Sequence, residues 1–172
     1  MNSDFFYLAP PLVSKKGYGF AVIQIGLDFS ETMILRLTEW SPQMYVDFWR
    51  NELLALLDGT RTKGIIACGV SRHSSGRVYN TSRWNVFRVG NEIVFHDVPV
   101  VFEDDVWYQS WKVPPEEWWT LVEDYTRDES VPEDECESEW RVGVDAVRAW
   151  CRKYGCVLRQ MENTDRDDDF NW

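Results

Sequence analysis

The sequence predicts a single α+β domain with a mostly antiparallel central sheet and about three packed helices. Three observations carry that prediction. The stretch from Arg83 to Phe102 (RWNVFRVGNEIVFHDVPVVF) is dense in β-branched and aromatic residues, and Gly90-Asn91 divides it as a two-residue hairpin turn would. The segments along the chain read strands, helix, strands, helix, helix, which is the order of an α+β fold rather than of repeating βαβ units. Finally, the 172 residues show no internal repeat and no linker between two cores, and a chain of that length buries a sizeable core without disulfides or metals. The domain is expected over residues 1–160, with the acidic tail 161–172 disordered.

Taken in order, Phe5 to Leu12 is apolar but ends in Pro10-Pro11, so it can form only an edge strand or a packed arm. Tyr18 to Leu27 and Thr32 to Leu37 read as two adjacent strands separated by the polar break Asp28 to Glu31. Ser41-Pro42 then supplies an N-cap and a proline at the first helical position. Met44, Tyr45, Phe48, Trp49, Glu52, Leu53, Leu56 and Leu57 follow at helical spacing, and Asp58-Gly59 closes the helix. Ile65 to Val70 reads as a short buried strand, Ser71 to Gly76 as a polar loop, and Val78 to Thr81 as an extension of the strand that holds Trp84. In the central hairpin the unbroken run Ile93-Val94-Phe95 implies a strand covered on both faces. Pro114-Pro115-Glu116-Glu117 opens a second helix whose apolar face is Trp118, Trp119, Leu121, Val122 and Tyr125. Asp128 to Glu139 (DESVPEDECESE) is too charged to pack and is expected to be a solvated loop. A last helix is expected from about Glu139 to Lys153, with Trp140, Val144, Val147, Trp150 and Cys151 facing the sheet.

Charge is the most informative total. Residues 1–96 carry 10 basic and 8 acidic side chains, a balance of +2; residues 97–172 carry 8 and 21, a balance of −13, and the two add to the net −11. A field of that sign repels nucleic acid and anionic lipid, and it speeds encounter with a basic partner. No stretch approaches the roughly 20 apolar residues of a membrane span, and the N-terminus lacks the charge-before-apolar order of a signal peptide. The expectation is a cytoplasmic chain whose four cysteines, Cys68, Cys136, Cys151 and Cys156, are reduced thiols without a C-x-x-C pair.

The common enzyme signatures are absent: no P-loop, no G-x-G-x-x-G, no H-E-x-x-H and no G-x-S-x-G. His73 stands among Ser71, Ser74 and Ser75, and His96 stands beside Asp97, but neither neighbourhood marks a nucleophile. Cys151, Cys156 and His96 have no recognised zinc spacing, so no metal and no cofactor are expected, and the chain does not read as an enzyme. Carboxylate runs such as Asp167-Asp168-Asp169 read as solvated surface, because neighbours on an extended chain point to opposite faces. Between Glu103 and Glu117, however, five carboxylates alternate with rings. Glu103, Asp104, Asp105, Trp107, Tyr108, Trp111, Glu116 and Glu117 form the candidate binding surface, with Glu133 to Glu139 as a second candidate. Rings supply buried area and carboxylates take up Arg and Lys at the edge, which suits a basic protein partner. About half of these tryptophans are expected to pack the second helix instead. Two other functional classes stay open: a carbohydrate-binding module using exposed Trp and Tyr beside carboxylates, and a hydrolase using His96 and nearby carboxylates.

The helix ending Leu53-Leu54-Ala55-Leu56-Leu57-Asp58-Gly59, the strand Gly64 to Val70 and the hairpin Trp84 to Phe95 (WNVFRVGNEIVF) resemble immunity proteins of bacterial contact-dependent growth inhibition systems. The resemblance spans roughly Thr32 to Asp104 and rests on scaffold residues, without a catalytic signature; the acidic C-terminal region matches no pattern of that family. It implies a small cytoplasmic inhibitor that binds the C-terminal toxin domain of a cognate effector. Such toxins are often basic nucleases, which agrees with the separately read acidic half. Inhibition could proceed by plugging the toxin's active site or by blocking it from beside.

Overall fold

Two antiparallel sheets are built from the alternating and the unbroken apolar runs. In the computed structural model, which describes residues 5–14, 18–98, 110–126 and 139–153, β1 (Phe6–Leu8) and β2 (Leu12–Val13) pair end to end along one edge of β3 (Tyr18–Ile25). The other edge of β3 pairs with β4 (Phe29–Arg36). Pro10 and Pro11, which cannot donate to a ladder, fall in the gap between β1 and β2. The second sheet runs β5 (Lys63–Arg72), β6 (Val78–Val89), β7 (Glu92–Val98), β8 (Glu139–Gly143), each strand antiparallel to its neighbour. The fold is therefore α+β with antiparallel pairing throughout the described ladders, divided between two sheets.

The predicted hairpin joins β6 to β7, with Val89 opposite Glu92 and Gly90 at φ +59°. Asn91 has no positive φ, so the turn has the type II′ pattern, with Gly at the first central position. Helix α1 (Pro42–Leu57) also lies where its signals placed it. Ser41 Oγ accepts from the Met44 amide at 3.3 Å, and Gly59 takes φ +80° just beyond the Asp58 cap. Its last carbonyls gain a partner from far along the chain: the Arg88 guanidinium donates to Leu56 O at 2.8 Å and Leu57 O at 2.9 Å.

The core lies where α1 and the first sheet meet β5 and its neighbours. Trp49 of α1 donates its indole N–H to Ala67 O at 2.7 Å, and Met33 of β4 meets Cys68 at 3.4 Å. Phe6 stacks on Phe95 across the sheets at 5.1 Å, and Phe29 stacks on Trp140 at 4.0 Å while touching Trp84. Such ring pairs add about 0.5–1.5 kcal/mol each beyond their buried area. Paired irregularities between β5 and β6 leave Cys68 and Thr81 out of register, and Gly69 stands between them. A Cβ at Gly69 would collide with Thr81 Oγ1 and stand 2.7 Å from Ser82 Oγ, so the close strand approach needs glycine here.

Four sequence-based boundaries change. β4 begins at Phe29, not Thr32, because Glu31 and Ser30 pair with Ile23 and Gln24 despite their polarity. β5 extends through Ser71 and Arg72, and the loop shortens accordingly. The segment after Pro114 is a 3₁₀ helix, Pro115–Leu121, rather than an α-helix; the chain turns extended at Val122, and short pieces of this kind favour the tighter winding. Glu139–Gly143 is strand, not the start of a helix, since the open edge of β7 accepts it with Trp140 opposite Phe95 and Val142 opposite Ile93. Helix α2 begins only after Gly143 and runs over 144–153. The end of the central stretch after Val98, the loop 128–138 and the tail 161–172 lie outside the described residues.

Candidate functional site

The acidic aromatic segment is pinned to the fold by a buried tryptophan. Trp118 is fully buried, stacked on Trp40 at 5.6 Å and edge-on to Phe48, and its indole N–H donates to Ser110 O at 3.0 Å. Ser110 is itself buried, and its hydroxyl accepts from the Asn80 amide of β6 at 2.9 Å. These contacts fix 110–122 against α1 and the second sheet. Glu116 and Glu117, in the first turn of the 3₁₀ helix, are left exposed beside each other.

Next to them Trp119 is half-buried, with the Arg61 guanidinium 4.8 Å above its ring. Arg61 in turn pairs with Glu52 at 2.6 Å, and Glu52 also accepts from the Ile65 amide at 3.1 Å. Glu52 is buried, and burial raises its pKa above the ordinary carboxylate value; the Arg61 charge pulls it back only in part. The chain from Glu52 through Arg61 to Trp119 thus ties the surface segment to the interior of α1. Asp124, fully exposed, bonds Lys63 Nζ at 2.8 Å, and that bond lowers its pKa.

Trp111 has a neighbour on its face. The His73 ring lies parallel to it at 4.2 Å, 4° from coplanar, and Lys112 Nζ stands 5.6 Å from the ring centre. His73 Nδ1 is also 2.9 Å from Ser75 Oγ, so this histidine is engaged with its own turn and with Trp111. His96 is exposed on β7 opposite Asn85 and Glu139. Among the described residues no group of three or more His, Cys, Asp or Glu side chains could hold a metal ion, and Cys68 and Cys151 are buried thiols outside any disulfide. Burial pushes the Cys151 thiol up to about 11.

Of the eight predicted surface residues, Trp111, Glu116 and Glu117 are described and share one segment. Glu103, Asp104, Asp105, Trp107 and Tyr108 lie outside the described residues, as do Glu133 to Ser138 of the second candidate. Glu139 is engaged: Arg141 donates to it at 2.8 Å and Tyr125 Oη at 2.9 Å, and Arg141 also reaches Glu92 at 3.2 Å. Sequence reasoning missed Arg61, whose role depends on a contact with Trp119 58 positions away. No spacing rule reports such a pairing.

No protein-family model matches the chain, and no curated protein matches it. Among solved structures it is similar to one chain of the CdiA-CT/CdiI toxin and immunity complex from Enterobacter cloacae. The TM-score is 0.64 over 88% of this chain and 99% of that chain, at 17% sequence identity. At that identity the likeness shows a shared fold. No helix of the described residues is long and apolar enough to cross a membrane.

Proposed function

We propose that this chain is a cytoplasmic immunity protein that binds and neutralises the C-terminal toxin domain of a cognate contact-dependent growth inhibition effector. The observation that carries the reading is the fold correspondence, which takes in 99% of a chain from a toxin and immunity complex. Charge supports the inhibitor side of such a pair. The C-terminal half, at −13, would draw in a basic domain such as a nuclease and would slow the approach of a nucleic acid substrate. The protein acts by occupancy alone, with no reaction of its own.

The contact surface in this reading comprises Glu103, Asp104, Asp105, Trp107, Tyr108, Trp111, Glu116 and Glu117. Glu116 and Glu117 are exposed and their backbone is held by the buried Trp118. Pre-fixed carboxylates of this kind bind Arg and Lys at a lower ordering cost than mobile ones. Whether they imitate substrate phosphates in the toxin's active site or cover it from beside is decided by the toxin residues they meet.

Calorimetric titration with the catalytically disabled toxin domain of the cognate effector tests the reading at low and at moderate salt. Tight one-to-one binding is expected, with association slowing as ionic strength rises. Absence of binding at both salts overturns the function. Paired reversal, Glu116→Lys with Glu117→Lys, tests the placement: unchanged association rate and unchanged protection of cells would move the interface elsewhere.

A further inference from the structure

The proposed acidic surface has a basic end. The turn between β5 and β6 carries Arg72, His73 and Arg77, and its own bonds hold it in one shape. His73 N donates to Arg77 O at 2.8 Å, Gly76 N to His73 O at 2.9 Å, and the Arg72 guanidinium to Gly76 O at 2.7 Å. Gly76, at φ +85°, supplies the left-handed residue that so tight a reversal needs. The turn is therefore ordered before any partner arrives.

Two contacts join this turn to the segment that presents Glu116 and Glu117. The His73 ring stacks on Trp111 at 4.2 Å, and the Arg77 guanidinium donates to Lys112 O at 3.4 Å. Trp111 and Lys112 open the same stretch, 110–122, that Trp118 fixes to the fold. Arg77 is also set apart from the other cations. Arg61, Lys63, Arg72, Arg141 and Arg148 each pair with a carboxylate, Arg72 with Glu39 at 2.6 Å. Arg77 is exposed, and among the described residues it bonds a backbone carbonyl and no carboxylate. On a chain of net charge −11, that leaves a guanidinium ready for an acidic group from outside.

We propose that Arg77 takes a carboxylate of the toxin domain, so that the interface is bipolar, acidic at Glu116 and Glu117 and basic at the β5–β6 turn. The inference rests on the immunity reading and adds a contact residue to it. A surface of one sign attracts a basic domain in many orientations. An opposite charge at its edge fixes one of them, because turning the partner round sets like charges together. A guanidinium suits this task, since its planar fork meets both oxygens of a carboxylate. A nucleic acid fits the turn less well: one guanidinium does not offset the repulsion between a run of phosphates and the −13 of residues 97–172. A lone carboxylate on an otherwise basic domain meets no such barrier.

Association and dissociation rates with the catalytically disabled toxin domain test this for the full-length wild type, Arg77→Glu, Arg77→Gln and Arg152→Glu, each checked for an unchanged melting curve. Arg152 is exposed on α2, outside residues 72–77 and 110–122. Both glutamate variants replace one positive charge with one negative, so each shifts the net charge from −11 to −13. In Arg77→Glu, dissociation is expected to quicken by about tenfold or more without slower association, because the more acidic chain still draws in a basic domain. Arg77→Gln should fall between it and the wild type, and Arg152→Glu should dissociate as the wild type does. Equal dissociation rates in Arg77→Glu and Arg152→Glu overturn the proposal while the immunity reading stands. A wild type that binds no toxin removes both. Binding of a labelled single-stranded RNA by the wild type, without toxin, that Arg77→Glu abolishes would give the turn to a nucleic acid and likewise overturn the proposal.

Discussion

β4 and β5 lie side by side but live in different environments. β4 alternates, with Met33 and Leu35 buried and Thr32, Ile34 and Arg36 exposed. β5 is buried at eight consecutive positions, from Gly64 to Ser71. The first sheet is an outer wall with one wet face; the second is covered by α1 and the first sheet together. What a residue type contributes here depends on its wall, and substitutions on the two sheets should separate widely. Trp84→Ala in β6 removes a ring packed against Phe29 and Trp140 and leaves a void. It should cost about 3–5 kcal/mol, a large part of a domain's total of about 5–15. A fall in the urea midpoint with an unchanged slope is the expected result, and a loss under about 1 kcal/mol would show the second sheet to be less fully packed than its burial implies.

The comparison sharpens at Glu52, the one buried carboxylate of α1, where the interior holds a charge. Glu52→Ala removes the acceptor for the Ile65 amide and the partner of Arg61, and should cost about 3 kcal/mol. Glu52→Gln keeps an acceptor for that amide and should cost less. The two carboxyl states also predict a pH effect. Burial raises the folded pKa above the unfolded value of about 4.3, so the folded chain holds this proton more tightly. The stability this contributes is complete below about pH 4.3 and is lost as pH rises through the elevated folded value. Subtracting the Glu52→Gln profile of unfolding free energy from that of the wild type should reveal a decline with pH in that window. A flat difference would mean that the Arg61 pairing cancels the cost of burial.

A smaller effect is expected where β8 closes the second sheet. Tyr125 Oη links Glu139 and Arg141, and Arg141 crosses to Glu92 on β7. Tyr125→Phe keeps the ring against Phe87 and deletes only the hydroxyl, for a loss of about 1–2 kcal/mol. Amide exchange should quicken along β8 and its partner β7 while β5 and β6 stay protected. Equal acceleration in all four strands would make the sheet a single cooperative unit and erase the distinction between its covered centre and its clamped edge.

What could be read from the sequence follows the range of the interactions involved. Ser41, Pro42 and Gly59 act on their own neighbours, so both ends of α1 were predictable from three residues. Gly90 likewise fixed the β6–β7 turn. Trp140 failed because a strand joining the edge of β7 and a helix facing the sheet both cover such a ring; the outcome depended on Phe95, 45 positions earlier. Arg61 over Trp119 and Arg88 on the end of α1 belong to the same class. The candidate surface was legible as composition, an alternation of rings and carboxylates. Its partition was not: Trp118 is buried, Trp111 is stacked on His73, and Glu116 and Glu117 are exposed, because that depends on what lies beneath the segment. The exposed row Leu12, Phe20, Ile34 escaped for a related reason, since two-residue β2 has no period of its own and only pairing with β3 brings Leu12 abreast of Phe20.

The smallest effect on stability carries the most about surface. Ile34→Thr keeps a β-branched side chain on β4 and therefore the strand's preference, while replacing a methyl-rich tip with a hydroxyl on a face already wet. In the isolated chain the change should stay within about 0.5 kcal/mol, the range of substitutions away from packed groups. The same substitution at the buried Ile66 of β5 would place a hydroxyl in the core, where an unpaired polar group costs about 1–3 kcal/mol on top of the lost methylene. Measured by urea unfolding, the pair compares one mutation on the two walls. A costly Ile34→Thr would show that β4's outer face is covered within a single chain. A neutral one beside a costly Ile66→Thr leaves the two walls as different as their burial patterns, with the exposed isoleucine contributing to nothing in its own fold.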